Sequence, residues 1–174
     1  MKNYNPNLLL TTQPPIMELA GLVKETKLPP NFPLIDVSQA APSSPPPLEM
    51  RQHLSRLILN DTSVHLYGEV LGLSELRLEF ANHLNKFYKS NKLSSANIGI
   101  TAGCNQAFAA AITSVAQADD QIILPSPWYF NHKMWLDILG IRTVVLETGT
   151  TLIPDANEAS KLITKKTRAI VLVN

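Results

Sequence analysis

Two segments of the sequence combine residue types that suit a small ligand carrying a phosphate and a flat ring. The first is the turn Thr101-Ala102-Gly103, which ends a β-branched segment at 98–101 and precedes an alanine-rich predicted helix. The first N–H groups of a helix have no partner within it and lie at the positive end of its dipole, so such a turn suits a phosphate. The expected donors are the backbone N–H groups of Gly103, Cys104 and Asn105.

The second segment supplies aromatic rings. A predicted strand at 121–125 runs into Trp128-Tyr129-Phe130 at the head of another predicted helix. An aromatic residue at the end of the next strand of the same parallel sheet could cover a flat ring attached to that phosphate. A ring that carries a phosphate describes pyridoxal phosphate. Each segment alone is also common in α/β proteins, where it serves packing only.

Three motifs follow one another at characteristic separations. The first, T-x-G-x-x-Q-A, is matched by Thr101, Gly103, Gln106 and Ala107. The second, G-D-x-[VI]-[LIV]-x-x-P-x-[YFW], is matched by Asp120, Ile122, Ile123, Pro125, Pro127 and Trp128-Tyr129. Asp119 replaces its first Gly, and because Asp tolerates the left-handed conformation better than most residues, we expect the turn to be kept. The third motif lies upstream. It consists of a Tyr, a Gly five or six residues later and then x-x-x-L-R at the start of a long helix, and it is matched by Tyr67, Gly72, Leu76 and Arg77. From about Leu34 to its last residue, the chain resembles the class I and II aminotransferases, fold type I of the pyridoxal-phosphate-dependent enzymes.

This resemblance implies pyridoxal 5′-phosphate as the cofactor. The cofactor ring would stack on Tyr129 rather than on Trp128, because the family's stacking aromatic usually lies two residues after this proline. Tyr67 would contact the phosphate from the neighbouring subunit, as the equivalent tyrosine does in related enzymes. Ala40 stands where many members have a Gly near the substrate carboxylate, so we expect it to contribute to substrate binding.

The resemblance places the catalytic groups of the family beyond Asn174: a Schiff-base lysine, a carboxylate for the pyridine nitrogen and an arginine for the substrate carboxylate. Lys161 follows Ser160, as the family lysine often follows a Ser, but its polar predicted helix indicates a surface residue. We therefore assign no catalytic residue here. The chain is expected to be an amino-terminal fragment, inactive alone, of an enzyme about twice as long.

Composition excludes several other classes of function. The net charge of +1 and the absence of long basic runs give no support for binding nucleic acid or a membrane surface. The single cysteine, Cys104, suits a reducing compartment, which favours the cytoplasm. No His or Cys pair has the spacing of metal ligands, and the four histidines are expected in surface or packing roles.

The order of elements predicts a doubly wound α/β fold with a mainly parallel sheet, the amino-terminal half of the large domain of this family. Helices are expected at about 48–60, 73–90, 104–117, 129–139 and 155–163, and strands at about 98–101, 121–125, 143–147 and 168–173. A Pro-rich arm at 1–47, with one short helix at 16–24, precedes an incomplete cofactor-binding domain at 48–174. The arm would support the small domain or reach across a dimer interface.

The function expected from the resemblance is transfer of an amino group between an amino acid and a 2-oxo acid, in a homodimer. A lyase of the same fold is an open alternative, because it uses the same cofactor and site. A non-catalytic nucleotide- or phosphate-binding α/β module is a second alternative. Against it, the sequence contains neither G-x-G-x-x-G nor G-x-x-x-x-G-K-[ST].

Overall fold

The computed structural model describes residues 4–38 and 41–173, which divide into two compact units. One unit falls within 1–35 and 102–174, and the other within 36–101. The α-helices of the described residues are α1 Pro6–Leu10, α2 Pro15–Glu25, α3 Leu48–Asn60, α4 Ser74–Phe87, α5 Cys104–Val115, α6 Phe130–Ile138 and α7 Ala156–Leu162. The strands are β1 Gln121–Ser126, β2 Arg142–Glu147 and β3 Thr167–Ile170. The division into an arm and a domain at residue 47 stays a prediction.

The three strands form a parallel sheet in the order β2-β1-β3. Along β1, Ile122 pairs with Thr143 of β2 on one side and with Ala169 of β3 on the other. The chain therefore leaves β1 in one direction, through α6 to β2, and then returns past β1 to β3 through α7. A parallel sheet in which the strand order reverses in this way is doubly wound, as predicted.

Alternate residues of β1 pack against helices on opposite faces of the sheet. On one face Ile122 and Leu124 form a core with Ile112 of α5 and Leu136 of α6. On the other face Ile123 packs with Leu146 of β2 and Ala159 of α7. Because β1 is buried on both faces, its sequence is a continuous apolar run rather than an alternating one.

Polar residues in short connections lie where these helices and strands begin and end. Asp119 has a φ of +70°, the left-handed conformation expected of it in the turn before β1, and its N–H bonds the Gly140 carbonyl at 3.0 Å. Asp155 caps α7, since its carboxylate accepts hydrogen bonds from the N–H groups of Asn157 and Glu158. Both residues let the chain reverse direction where parallel strands require it.

Four details of the prediction were wrong. Segment 98–101 is not a strand; the Ile100 N–H bonds the Leu71 carbonyl of a nearby loop, at 2.9 Å. β3 ends at Ile170 rather than at 173 and lies at the sheet edge, and its residues alternate between partly buried and exposed. Helix α4 ends at Phe87 rather than at 90. The short helix α1 was not predicted.

In the unit at 36–101, the motif residues Gly72 and Arg77 have structural roles. Gly72 has a φ of +90°, and a Cβ there would lie 2.7 Å from the side chain of Ile100. The Arg77 guanidinium donates to the carbonyls of Gly72 and Ser95, at 2.9 and 3.2 Å, and to the Glu69 carboxylate at 2.6 Å. One arginine therefore joins a turn, the start of α4 and the segment before residue 98.

Across the described ranges, no helix combines the length and the apolar character needed to cross a membrane. Within the same ranges, no group of three His, Cys, Asp or Glu side chains is arranged to hold a metal ion.

Candidate functional site

Helix α5 begins directly after the Gly103 turn. Gly103 is its N-cap, with φ +82° and ψ 173°, a conformation open essentially to glycine alone. Beyond the two chain neighbours, a Cβ at Gly103 would meet no atom of the described residues within 4 Å. The backbone conformation, rather than a lack of space, is therefore the reason that glycine suits this position. The side-chain oxygen of Gln106, at the third helical position, accepts the Ala102 N–H at 2.5 Å. This contact is a variant of the capping box and ties the turn to the first turn of the helix.

The helix start lies at the edge of the sheet where β1 ends. Helix α5 runs from residue 104 to 115, and a short connection joins it to β1 at residue 121. A helix of twelve residues is about 18 Å long and a strand of six residues about 20 Å long, so α5 is about as long as β1. The contact of Phe108, near the start of α5, with His132, near the start of α6, brings the starts of these two helices together, and α6 follows the carboxyl end of β1.

The two adjacent aromatics after β1 have different environments. Trp128 packs against the core that contains Leu124 and Leu136. Tyr129 is the N-cap of α6 and keeps 38% of its surface exposed. Of these two residues, Tyr129 is therefore the more exposed.

A small cavity of about 70 Å³ lies at the carboxyl ends of β1 and β3, where the strand order reverses. Its lining includes Leu124, Trp128, His132, Thr148 and Val171. In open α/β sheets ligands bind outside the strand ends at such a switch point. A cavity of this size holds no more than a few water molecules, so a flat ring would lie outside it, towards Tyr129.

His132 also lies near this edge, although it was not among the predicted site residues. It is 6% exposed, stacks on Phe108 of α5 with ring centroids 4.0 Å apart, and meets Tyr129 edge-on at 5.2 Å. The expected packing role for this histidine is confirmed. The signal in the sequence was the spacing of three residues between Tyr129 and His132, because residues three apart at the start of a helix lie on one face. The structure thus connects Tyr129 to the helix that follows the Gly103 turn.

The other predicted site residues that the structure describes are exposed. Cys104 and Asn105 are exposed at the start of α5. Tyr67 is fully exposed in the unit at 36–101, so its contact with a neighbouring subunit stays a prediction. Ala40 lies outside the described residues.

Lys161 has the environment of a surface lysine. Its ammonium donates to the Glu158 carboxylate at 2.6 Å, and its side chain is 67% exposed. The hydrogen bond and the charge of Glu158 raise the pKa of Lys161, which keeps the amine protonated. A protonated amine is not a nucleophile, so this environment agrees with the surface role expected from its sequence position.

The comparison with known families identifies the chain. The family model described as aminotransferase class I and II matches residues 30–174. The chain belongs to this family.

Curated and solved relatives agree with the family. The aromatic aminotransferase ISS1 of Arabidopsis thaliana is 28% identical over 167 residues, which cover 94% of this chain and 40% of the relative. The chain therefore spans about 40% of the length of this curated relative. An aspartate aminotransferase from Thermotoga maritima superposes with a TM-score of 0.79 at 22% identity over 96% of this chain and 44% of the other. Substrate-bound BacF from Bacillus subtilis superposes with a TM-score of 0.84 at 18% identity, over 99% of this chain and 44% of the other. These structural likenesses establish the fold.

Proposed function

We propose that this chain supplies the cofactor-binding part of an enzyme that transfers an amino group between an amino acid and a 2-oxo acid, with pyridoxal 5′-phosphate as cofactor. The observation that supports the proposal is a row of ring contacts between the two elements that carry predicted residues: Phe108 of α5 stacks on His132 of α6, and His132 meets Tyr129 edge-on. Gly103 is the N-cap of α5, and Tyr129, at the start of α6, is 38% exposed. Family membership supplies the reaction class.

The described residues fit a phosphate joined to a flat ring. Gly103 is the N-cap, and Cys104 and Asn105 are the first two residues, of a 12-residue helix, at the end where backbone N–H groups and the helix dipole attract an anion. Tyr129 would cover one face of the ring and exclude water from that face. When bound, pyridoxal phosphate supplies an electron sink for the charge left at the substrate carbon.

Further elements of the proposal concern the whole enzyme. Tyr67, which is fully exposed, would donate its hydroxyl hydrogen to the phosphate bound by a second subunit of a homodimer. Ala40 would lie near the substrate carboxylate, as the resemblance implies. The reactive lysine would not be Lys161, whose amine is held protonated by Glu158. A cytoplasmic location would suit the single cysteine, Cys104, which carries a free thiol.

The test uses the purified 174-residue chain and pyridoxine 5′-phosphate, a probe with the ring and phosphate but no aldehyde to react with lysines. We expect saturable one-to-one binding in isothermal titration calorimetry. Tyr129→Ala should weaken this binding by about 1–3 kcal/mol, the scale of an aromatic contact plus lost buried area. Tyr129→Phe keeps the ring and should retain most of the affinity.

Tyr88→Ala is the matched control, because Tyr88 is also exposed but belongs to the other unit. Its variant should bind the probe like the unchanged chain. Absence of saturable binding by the unchanged chain, or equal affinities for the Tyr129→Ala and Tyr88→Ala chains, would contradict the proposal.

A further inference from the structure

Three aromatic rings from two helices form a continuous row at the candidate site. Phe108 lies in α5, four residues after its first residue, and its ring stacks on His132 with centroids 4.0 Å apart and an interplanar angle of 23°. His132 in turn meets Tyr129 at 5.2 Å with the two planes at 89°. Parallel and edge-on contacts at these distances are the favoured geometries of aromatic pairs. The row therefore links the helix that follows the Gly103 turn to the accessible ring.

The middle ring of this row is buried and packs between the two others. His132 is 6% exposed, and its Nδ1 is buried and makes no hydrogen bond within the described part of the chain. Burial lowers the pKa of the imidazole below its ordinary value of 6.5, so the ring is neutral at pH 7. A neutral imidazole between two aromatic rings behaves as a flat apolar spacer.

A second contact fixes the other end of Tyr129. The side-chain amide nitrogen of Asn131 donates to the Tyr129 hydroxyl oxygen at 2.8 Å. The hydroxyl contact restrains where the end of the side chain lies, whereas the perpendicular contact with His132 restrains the plane of the ring. A side chain that is 38% exposed would otherwise have considerable rotamer freedom.

We propose that Asn131 and His132 are positioning residues that hold the ring of Tyr129 in the plane needed to stack on a flat ligand, with Phe108 supporting His132 from α5. The stacking role rests on the proposed function; the immobilisation of Tyr129 does not. Holding the ring in place before binding lowers the entropy lost when a ligand stacks on it.

The first arm of the test observes Tyr129 without any ligand. The chain contains four tyrosines, so labelling with 3-fluorotyrosine gives four fluorine signals, and Tyr129→Phe identifies the one from residue 129. We expect the Tyr129 signal to be displaced from that of the fully exposed Tyr67. His132→Leu and Asn131→Leu should each move it towards the Tyr67 position. His132→Phe keeps a flat ring and should leave it displaced.

The second arm measures affinity for pyridoxine 5′-phosphate and for inorganic phosphate in the same chains. His132→Leu and Asn131→Leu should weaken binding of the first about two- to tenfold, the scale of one aromatic or hydrogen-bond contact, and leave the second unchanged. His132→Phe should restore the affinity and keep the chain at least as stable, because it removes a buried nitrogen without a partner. His83→Leu is the matched control, since His83 stacks on Phe87 within the other unit.

The outcomes separate the two proposals. If the unchanged chain does not bind pyridoxine 5′-phosphate, the proposed function fails, and the fluorine spectra still decide whether Asn131 and His132 immobilise Tyr129. If the chain binds the probe but both leucine variants keep the Tyr129 signal and the affinity, the positioning proposal is wrong and the proposed function stands. An equal loss of affinity for both ligands in the leucine variants would also overturn it, since it would indicate general disruption of the site.

Discussion

At the scale of single residues, the candidate site depends on backbone conformation as much as on side chains. Gly103 has a φ of +82°, and beyond its two chain neighbours no atom of the described residues lies within 4 Å of a Cβ built there. Beside it, the Gln106 side chain holds the Ala102 N–H at 2.5 Å. An unusual backbone conformation held by a side-chain contact is typical of a place where backbone groups bind a ligand.

Gly103→Ala should destabilise the chain by about 1–3 kcal/mol, because alanine is strained at this φ and ψ. Gly21→Ala is the matched control: Gly21 lies inside helix α2, and its added Cβ also meets no neighbour within 4 Å. That change should be neutral or stabilise by about 0.5–1 kcal/mol. Urea denaturation measures both. Equal effects at the two positions would show that the Gly103 turn is not strained by alanine.

A second residue-scale prediction concerns Asp120. Its carboxylate accepts the Gln117 N–H at 3.1 Å and pairs with Arg168 at 3.0 Å. The Gln117 hydrogen bond is the largest single cause that lowers the pKa of Asp120 below its ordinary value of 3.8, and the hydrogen bond and charge of Arg168 lower it further. The carboxylate therefore stabilises the fold above the pKa of the unfolded chain, and this stabilisation is lost as the pH falls through the lower pKa of the folded chain.

Asp120→Asn should lower the free energy of unfolding at pH 7 and make it less dependent on pH below about 4. Arg168→Gln should have the smaller effect on the pH dependence, because it leaves the Gln117 hydrogen bond in place. Urea denaturation at a series of pH values measures both variants. A larger change in pH dependence for Arg168→Gln than for Asp120→Asn would reverse the assigned order of causes.

At the scale of elements, Arg77 organises the unit at 36–101. Its three hydrogen bonds go to Gly72, Ser95 and Glu69, and the planar guanidinium is the side chain that can reach all three. Arg77→Lys should destabilise this unit by about 1–3 kcal/mol, because a carbonyl without its donor stays partly buried. Hydrogen exchange of the Ile100 N–H, which bonds the Leu71 carbonyl, provides a local measurement.

Arg56→Lys is the control for this change, since Arg56 is exposed in α3. It should leave the exchange of Ile100 unaltered. Faster exchange in both variants to the same degree would argue against the structural role of Arg77.

At the scale of the whole molecule, the edge of the sheet exposes apolar side chains. Ile170, Leu172 and Val173 are 40%, 67% and 62% exposed, and they line an apolar groove of about 460 Å³ beside α7. An apolar strand edge is a template for self-association. We therefore expect the isolated chain to associate with itself at high concentration.

Leu172→Lys should weaken this association about tenfold or more, because burying a leucine contributes about 1.5–3 kcal/mol and a charge opposes edge pairing. Sedimentation velocity over a concentration series measures the effect. Val70→Lys is the control, because Val70 is 98% exposed in the other unit. The idea fails if the two lysine variants associate alike.

The sequence by itself determined the class of fold, the start of α5 at Cys104, the left-handed turn at Asp119 and the family of the chain. These depend on local conformational preferences and on ordered motifs, which are properties of neighbouring residues. It did not determine that 98–101 is no strand or that β3 lies at an edge, because strand pairing depends on residues distant in the chain. It also missed the burial of His132 between Phe108 and Tyr129. Only the packing of α5 against α6 brings those rings together, since 24 positions separate Phe108 from His132 in the sequence.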